Sequence, residues 1–249
     1  MDLNQIKLFS AYSANDDQNT HLWLKGASLF IPQLNQLLDI LTDYKLEIID
    51  IMYFFQNDCK KLGNILQMNK SDKSTTHNYH IMYSYIFNQL GIDSSLNILE
   101  IGLGTNNPSL VSSMGIHGRP GASLFAFKEY LINSNIYGAD IDKDILFESE
   151  RIKTCFVDQL DIDSFENLKT FGNIKYDLII DDGLHAIASN FNTLLFALNN
   201  INENGWIVIE DIQYENNWKS IDFIIKNTQK YKTYFIKSRN AYLYVIHKI

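Results

Sequence analysis

The sequence predicts an α/β protein: a doubly wound, mostly parallel sheet of about seven strands with an antiparallel last strand, preceded by a helical N-terminal region. Three observations carry this. From residue 79 onward, short apolar runs alternate with amphipathic stretches, the order that builds a parallel sheet covered by helices on both faces. The runs are near-continuous in Val, Ile and Leu, as in "YDLIIDD" (176–182), so these strands are buried on both sides. The final stretch "YKTYFIKSRNAYLYVIHKI" holds two strand-like runs joined at "SRN", and a hairpin there brings an antiparallel strand into the sheet.

Taken in order, residues 1–70 lack any strand–turn–helix alternation. Their apolar residues recur at mixed three and four spacings, which predicts helices, with Pro32 marking a start or a break. This region is expected to act as a lid or an oligomerisation element, and residues 71–249 to form the ligand-binding domain. "NKSDKSTTHN" (69–78) is polar and turn-rich and reads as a loop. "YHIMYSYIFNQLG" is an amphipathic helix ended by Gly91. Strands are expected at 97–102, 135–140, 154–158, 176–182 and 205–211. Helices are expected near 122–133, 143–150, 161–171, 186–199 and 215–228.

The bulk properties agree with a folded domain. Of 249 residues, 46% are hydrophobic and 20% charged, enough apolar material for a large core. The net charge of −8, with no cluster of Lys and Arg, argues against a partner gripped through its phosphates, so no nucleic acid is expected. The two cysteines, Cys59 and Cys155, form no CxxC pair and suggest neither a zinc site nor a disulfide framework. "MDLNQIKLFS" lacks the basic and apolar regions of a signal peptide, and no apolar run is long enough to cross a bilayer. The expectation is a cytoplasmic protein that does not engage a membrane.

In open α/β sheets, ligands bind beyond the carboxyl ends of the strands, so the residues at those ends are the candidates. The first strand gives "LEIGLG": Glu100 precedes a turn in which Gly102 and Gly104 let the backbone approach a ligand. A nicotinamide fingerprint wants a third glycine three residues later, and Asn107 stands there instead. A GxG pair also serves a tight turn with no ligand. The long loop after it, residues 105–121, offers Asn106, Asn107, His117 and Arg119, or is a surface excursion. The second strand ends in Asp140, with Asp142 close behind; such a carboxylate accepts hydrogen bonds from ribose hydroxyls, or caps a helix. Asp158 and Gln159 end the third strand. The fourth delivers Asp181 and Asp182, followed by Gly183 and His185, and the fifth delivers Glu210 and Asp211. Strand four should neighbour strands one and five, so these carboxylates converge and repel unless a cation or protons compensate.

In this order and spacing, "LEIGLG", "YGADI", "VDQLD", "IIDDGLH" and "GWIVIEDI" resemble the class I S-adenosylmethionine-dependent methyltransferases. More narrowly, they resemble the metal-dependent sugar O-methyltransferases, the macrocin and mycinamicin O-methyltransferase and cephalosporin hydroxylase-like group. The resemblance covers residues 70–212. It implies a Rossmann-like domain that binds S-adenosylmethionine and Mg²⁺ or a similar divalent cation. The acceptor would be a small molecule of sugar type, in surface-polysaccharide or natural-product biosynthesis, and the chain a possible homo-oligomer. Residue by residue it implies that Glu100, Gly102 and Gly104 line the methionine and ribose side, that Asp140 holds the ribose and that Asp158 and Gln159 meet the adenine. Asp181 would lie closer to the cofactor than its neighbour. "SDKSTTHNY" resembles a segment closing the cofactor site, with Lys73, Thr76, His77 and Tyr79 as candidates. Asp182, Glu210 and Asp211 would ligate the metal. Leu184 departs from the small polar residue common in the group and affects the acceptor pocket.

An acceptor hydroxyl is a poor nucleophile until its proton is leaving, and histidine ordinarily titrates near neutrality. His185 is therefore the expected base, with Asp182 its catalytic partner; otherwise Asp181 and Asp182 cap the helix at 186–199 and His185 is a solvated residue of its first turn. Tyr214 and Trp218 could stack on a sugar or simply pack. A nicotinamide-dependent oxidoreductase and a non-catalytic cofactor-binding partner are the competing readings. The first is weakened by the missing glycine, the second by the intact carboxylate set.

Overall fold

The computed structural model describes residues 17–249, so the decamer weighed as a signal peptide lies outside the described residues. The elements run α1 (Asp17–Leu41), β1 (Ile48–Asp50), α2 (Cys59–Met68), α3 (His80–Leu90), β2 (Asn97–Ile101), α4 (Ala122–Tyr130), β3 (Asn135–Asp140), β4 (Glu148–Ser149) and β5 (Ile152–Phe156). There follow β6 (Tyr176–Asp181), α5 (Ile187–Asn200), β7 (Ile201–Ile212), α6 (Lys219–Asn227), β8 (Tyr231–Lys237) and β9 (Tyr242–Lys248). The strands form one sheet in the order β1-β8-β9-β7-β6-β2-β3-β5-β4. β9 is antiparallel to both its neighbours, β7 and β8, as the hairpin signal required. Among the described residues no helix is long and apolar enough to cross a membrane.

Successive residues of each central strand point to opposite faces, and both faces are covered. Ile98, Ile136, Leu178, Ile180 and Val208 enter one apolar layer with α2, α3 and α4. Leu99, Ala139, Ile179, Ile207 and Ile209 enter the other with α5 and α6. That is why the strands read as unbroken apolar runs.

Among the described residues the sheet has nine strands rather than about seven, and both additional strands are short edges. β1 lies in the segment read as purely helical and pairs in parallel with β8. Ile51, Phe54, Cys59, Leu62 and Leu66 then enter the first core layer, so sheet and core both run across the expected boundary at residue 70. A three-residue strand is too short to show a period, and only its partner reveals it.

β4 replaces the helix expected at 143–150. Asp142 accepts from the Asp144 N–H and holds a single 3₁₀ turn, Lys143–Ile145. The Thr154 hydroxyl then accepts from the Phe147 N–H and donates to the Phe147 carbonyl, both at 2.6 Å, which keeps the chain extended beside β5. The helix expected at 161–171 is a 3₁₀ run, Ile162–Phe171, capped by Asp161. The helix expected at 215–228 is a 3₁₀ turn, Glu215–Trp218, followed by α6. The loop expected at 69–78 contains a further 3₁₀ turn, Asp72–Ser74, which the site depends on.

Because α2 is part of the core, Leu62→Ala should destabilise the whole domain by about 2–5 kcal/mol, the usual cost of such a cavity. Denaturant unfolding should shift as one cooperative transition; a separate early transition would mean that residues 59–68 fold on their own.

Candidate active site

The chain winds to one side of β2 through β3 and β5, and to the other through β6 and β7. At this switch point the connections that leave the carboxyl ends of β2 and β6 run to opposite sides and open a crevice, the usual ligand position of such sheets. An open cavity of about 330 Å³ occupies it, lined by the turns after β2, β3, β5 and β6, by the segment 70–73 and by part of the loop 109–119.

The turn after β2 is shaped by close approach. Gly102 has φ +96°, its N–H donates to the Ala139 carbonyl, and a Cβ there would stand 2.1 Å from the Asp182 carbonyl oxygen. Only glycine fits, because the ends of β2 and β6 are in backbone contact. Asp140 lines the cavity. Its carboxylate accepts from the N–H groups of Leu103 and Asp142 at 2.7 and 2.8 Å, which ties β3 to the glycine turn. Burial raises its pKa, and those hydrogen bonds oppose the rise. Asp142 turns away and accepts from the Thr105 hydroxyl and the Asp144 N–H. Asp158 lines the cavity and accepts from the Leu160 N–H. Gln159 borders it too, but its amide is committed: Nε2 donates to Asp181 and Thr193, and Oε1 accepts from the Leu184 N–H. Gln159 therefore braces the turn after β6 rather than presenting a free amide. Asp181 is fully buried and outside the cavity, with Asn190 as its second donor.

Glu100 is likewise buried beneath the cavity wall and reaches it through the Ser123 hydroxyl, 2.5 Å away, and through Lys73. Lys73 was the least expected of these residues to sit at the centre. It is 1% exposed, on the 3₁₀ turn capped by Ser71. Its Nζ lies 2.5 Å from Asp182 Oδ2, 2.8 Å from Glu210 Oε2 and 3.1 Å from Glu100 Oε1. Burial alone would lower its pKa, but three carboxylates more than offset that and hold it well above the ordinary lysine value. One ammonium does not balance three carboxylates, and burial pushes Glu210 upward. Glu210 is 1% exposed, does not line the cavity, and accepts from the Tyr83 hydroxyl with its other oxygen. Tyr83 had no signal beyond its place in an amphipathic helix. The expected metal set of Asp182, Glu210 and Asp211 is thus divided: Glu210 is paired inside, and the two aspartates face the cavity.

At that end of the cavity Asp182, His185 and Asp211 converge, with one ligand atom from each lying within 4.8 Å of the others. His185 Nε2 is 3.8 Å from Asp182 Oδ1 and 3.6 Å from Asp211 Oδ2. His185 and Asp211 have φ of +56° and +55°, conformations unusual for non-glycine residues and concentrated at functional sites. Tyr79 donates its hydroxyl to Asp211 Oδ1, and His77, stacked on Tyr79, has Nε2 3.6 Å from the same oxygen. His77 therefore meets this cluster rather than the glycine-turn end of the cavity. Of the loop candidates, Arg119 lines the cavity, His117 is exposed, and Asn106 donates to the carbonyls of Gly115 and Gly118 to hold the loop together. Leu184 lines the cavity, whereas Trp218 is buried against Tyr244 and Tyr214 is exposed, so neither aromatic lines it.

No family model matches the chain. A curated relative, the 8-demethyl-8-alpha-L-rhamnosyl tetracenomycin-C 2'-O-methyltransferase of Streptomyces olivaceus, is 29% identical over 157 residues, which is 63% of this chain and 39% of the relative. The MycE methyltransferase of the mycinamycin biosynthetic pathway, solved with Mg and S-adenosylhomocysteine, superposes with a TM-score of 0.59 at 22% identity. That match covers 75% of this chain and 54% of MycE. A ribosomal RNA methyltransferase from Plasmodium falciparum superposes at 0.50 with 16% identity, covering 67% of this chain and 93% of its own. The chain therefore spans well under two thirds of the tetracenomycin relative and about half of MycE, and what the structural likenesses show is the fold.

Burial, repulsion from Asp211 and repulsion from Glu100 together raise the Asp182 carboxyl to about 7, against the attraction of Lys73 and His185. In the unfolded chain it titrates near 3.8, so the folded state holds its proton more tightly. This group's stabilising contribution is fully present below pH 3.8 and is lost as pH rises through about 7. The metal-free protein should accordingly show part of its loss of thermal stability over that window, and Asp182→Asn should flatten the slope. An unchanged slope would place the titration elsewhere.

Proposed function

We propose that this chain, which has the fold of the class I methyltransferases, is an S-adenosylmethionine-dependent O-methyltransferase. Its acceptor is a hydroxyl, or a phosphate-like oxygen, on a sugar or small polar metabolite, in natural-product or surface-polysaccharide assembly. The observation that carries this reading is one cavity with two chemically distinct ends. Glycine turn, Asp140 and Asp158 form one end; the cluster of Asp182, His185 and Asp211 forms the other. The rhamnosyl 2'-O-methyltransferase relative supports a sugar-borne hydroxyl as the acceptor class.

In this reading the backbone of Gly102–Gly104 admits the donor's methionine part, and Asp140 holds the ribose hydroxyls with the lone pairs not engaged by Leu103 and Asp142. Asp158 borders the adenine, alongside Val157 and Leu160. Glu100 acts through Ser123 and Lys73 rather than by touching the donor. The acceptor enters beside Leu184 and the loop at 109–119. Its oxygen attacks the sulfonium methyl in line: the new C–O bond forms as the C–S bond breaks, and the electron pair leaves on sulfur. The hydroxyl proton is taken up by the Asp182, His185 and Asp211 cluster, whose acidic members lie against the acceptor end.

The residues present fit a divalent cation, because two carboxylate oxygens and an imidazole nitrogen face one another there, each carboxylate being anchored through its other oxygen. When bound, a cation at this place supplies Lewis-acid polarisation that lowers the pKa of the acceptor hydroxyl.

Calorimetric titration with S-adenosylmethionine, S-adenosylhomocysteine and NAD, with Mg²⁺ and with EDTA, tests the reading. Both sulfur nucleosides should bind and NAD should not. Asp140→Ala should weaken the nucleosides at least tenfold, since a carboxylate hydrogen bond contributes about 1.5–3 kcal/mol. NAD binding in their place would favour the oxidoreductase reading, and binding of none would remove the methyl-transfer proposal.

A further inference from the structure

We infer that the outer face of α1 is an interface with a second copy of this chain. The helix carries two apolar stripes. Ile31, Leu34 and Leu38 lie toward the domain, Leu38 buried and the other two half-buried. Leu29, Phe30, Leu37, Ile40 and Leu41 are instead 51–74% exposed. At about 100° and 1.5 Å per residue, these five fall within one arc of about 120° and along about 18 Å of the helix. A helix that is apolar on more than one side is ordinarily covered on more than one side, and α1 is covered on one.

Polar bonds fix the inner side. Asn35 Oδ1 accepts from the Ser220 N–H and hydroxyl, at 3.2 and 2.6 Å, and Asn35 Nδ2 donates to the Asn216 carbonyl. Lys219 pairs with Asp39, and just beyond the helix the Tyr44 hydroxyl donates to the buried Asp222. To bury the outer stripe against its own domain, α1 would have to roll and give up these bonds.

Charge selects the occupant. From Gly26 to Thr42 the one charged residue is Asp39, and Lys219 neutralises it. The stripe therefore offers nothing to a charged partner and no Lys or Arg to an anionic membrane. Two copies of a chain with net charge −8 associate best where neither presents charge, and this stripe is such a place. Fully burying a Leu, Ile or Phe side chain removes about 60–120 Å² of apolar surface from water, so five that are half to three-quarters exposed bring about 200–400 Å² per copy. That is a fitting apolar core for a standard interface, which buries about 800 Å² on each partner, and the exposed Gln33 and Gln36 add polar groups beside it. A two-fold axis near Leu37 lays stripe against stripe, and such an isologous contact closes at the dimer. The contact is independent of the reaction proposed above.

Sedimentation of the full chain at micromolar concentration should show a dimer. Each substitution enters an isologous interface twice, so Leu37→Glu and Ile40→Glu should each raise the dimer dissociation constant about a hundredfold or more. Met68→Glu, at an exposed apolar residue at the end of α2, should leave it unchanged. Far-UV circular dichroism should be the same for all, since every altered side chain is exposed. A monomer in the unmutated protein would overturn the inference without any variant having to fold. So would a dimer that persists in both Leu37→Glu and Ile40→Glu, which would put the contact elsewhere. Flotation of the unmutated chain with phosphatidylcholine vesicles in place of self-association would assign the stripe to a lipid surface and overturn it too.

Discussion

The Lys73 ammonium, buried among Glu100, Asp182 and Glu210, is the interaction on which the rest of the site depends. Strands β2, β6 and β7 each bring an acidic residue at or beside their carboxyl ends, Glu100, Asp182 and Glu210, and three carboxylates brought together in an apolar interior repel one another. A single cation from outside the sheet lets the three strand ends lie side by side. The cost of burying that cation is met by the same three partners, which explains why the turn Asp72–Ser74 is ordered although its sequence is polar and turn-rich.

The arrangement also sorts the acidic residues by depth. Glu100 and Glu210, against Lys73, and Asp181, against Gln159, are sealed in the interior and hold elements together, whereas Asp182 meets Lys73 with one oxygen and still lines the cavity. Asp140, Asp158, Asp182 and Asp211 reach the cavity with at least part of their carboxylates. Adjacent residues therefore have different duties: Asp181 is held by Gln159 and Asn190 while Asp182 meets Lys73, and Glu210 and Asp211 accept from the hydroxyls of Tyr83 and Tyr79, the first sealed in the interior and the second at the cavity. The positive φ of His185 and Asp211 turns those side chains toward each other at the cavity, a strain that the surrounding backbone contacts must hold.

Much of the fold was legible in the sequence. The central strands announce themselves because burial on both faces demands unbroken apolar runs, and the closing hairpin because two such runs flank a short polar turn. β1 and β4 were not legible: at three and two residues they have no period, and each exists only because a partner strand offers free backbone groups. The helix expected at 143–150 failed for a tertiary reason, the bonds from Thr154 to the Phe147 backbone. Of the strand-end candidates, the glycine turn, Asp140, Asp158, Asp182, His185 and Asp211 lie at the cavity, where their positions in the sequence pointed. That Glu100 and Glu210 are sealed beneath it and that the Gln159 amide is committed was not legible, because a strand-end position does not say whether a side chain meets the cavity or a buried partner.

By itself the sequence determined the strand-end chemistry: which residue types stand at the carboxyl end of each parallel strand, since period and turn signals are local. Only the tertiary structure decided which of those groups are satisfied internally and which remain open to a ligand. Lys73 lies 109 residues from Asp182 and 137 from Glu210 along the chain. No local pattern carries a contact of that range, and none tells that Glu210 has both oxygens engaged in the interior, by Lys73 and the Tyr83 hydroxyl, while Asp182, held by the same Lys73 through one oxygen, still reaches the cavity beside Asp211.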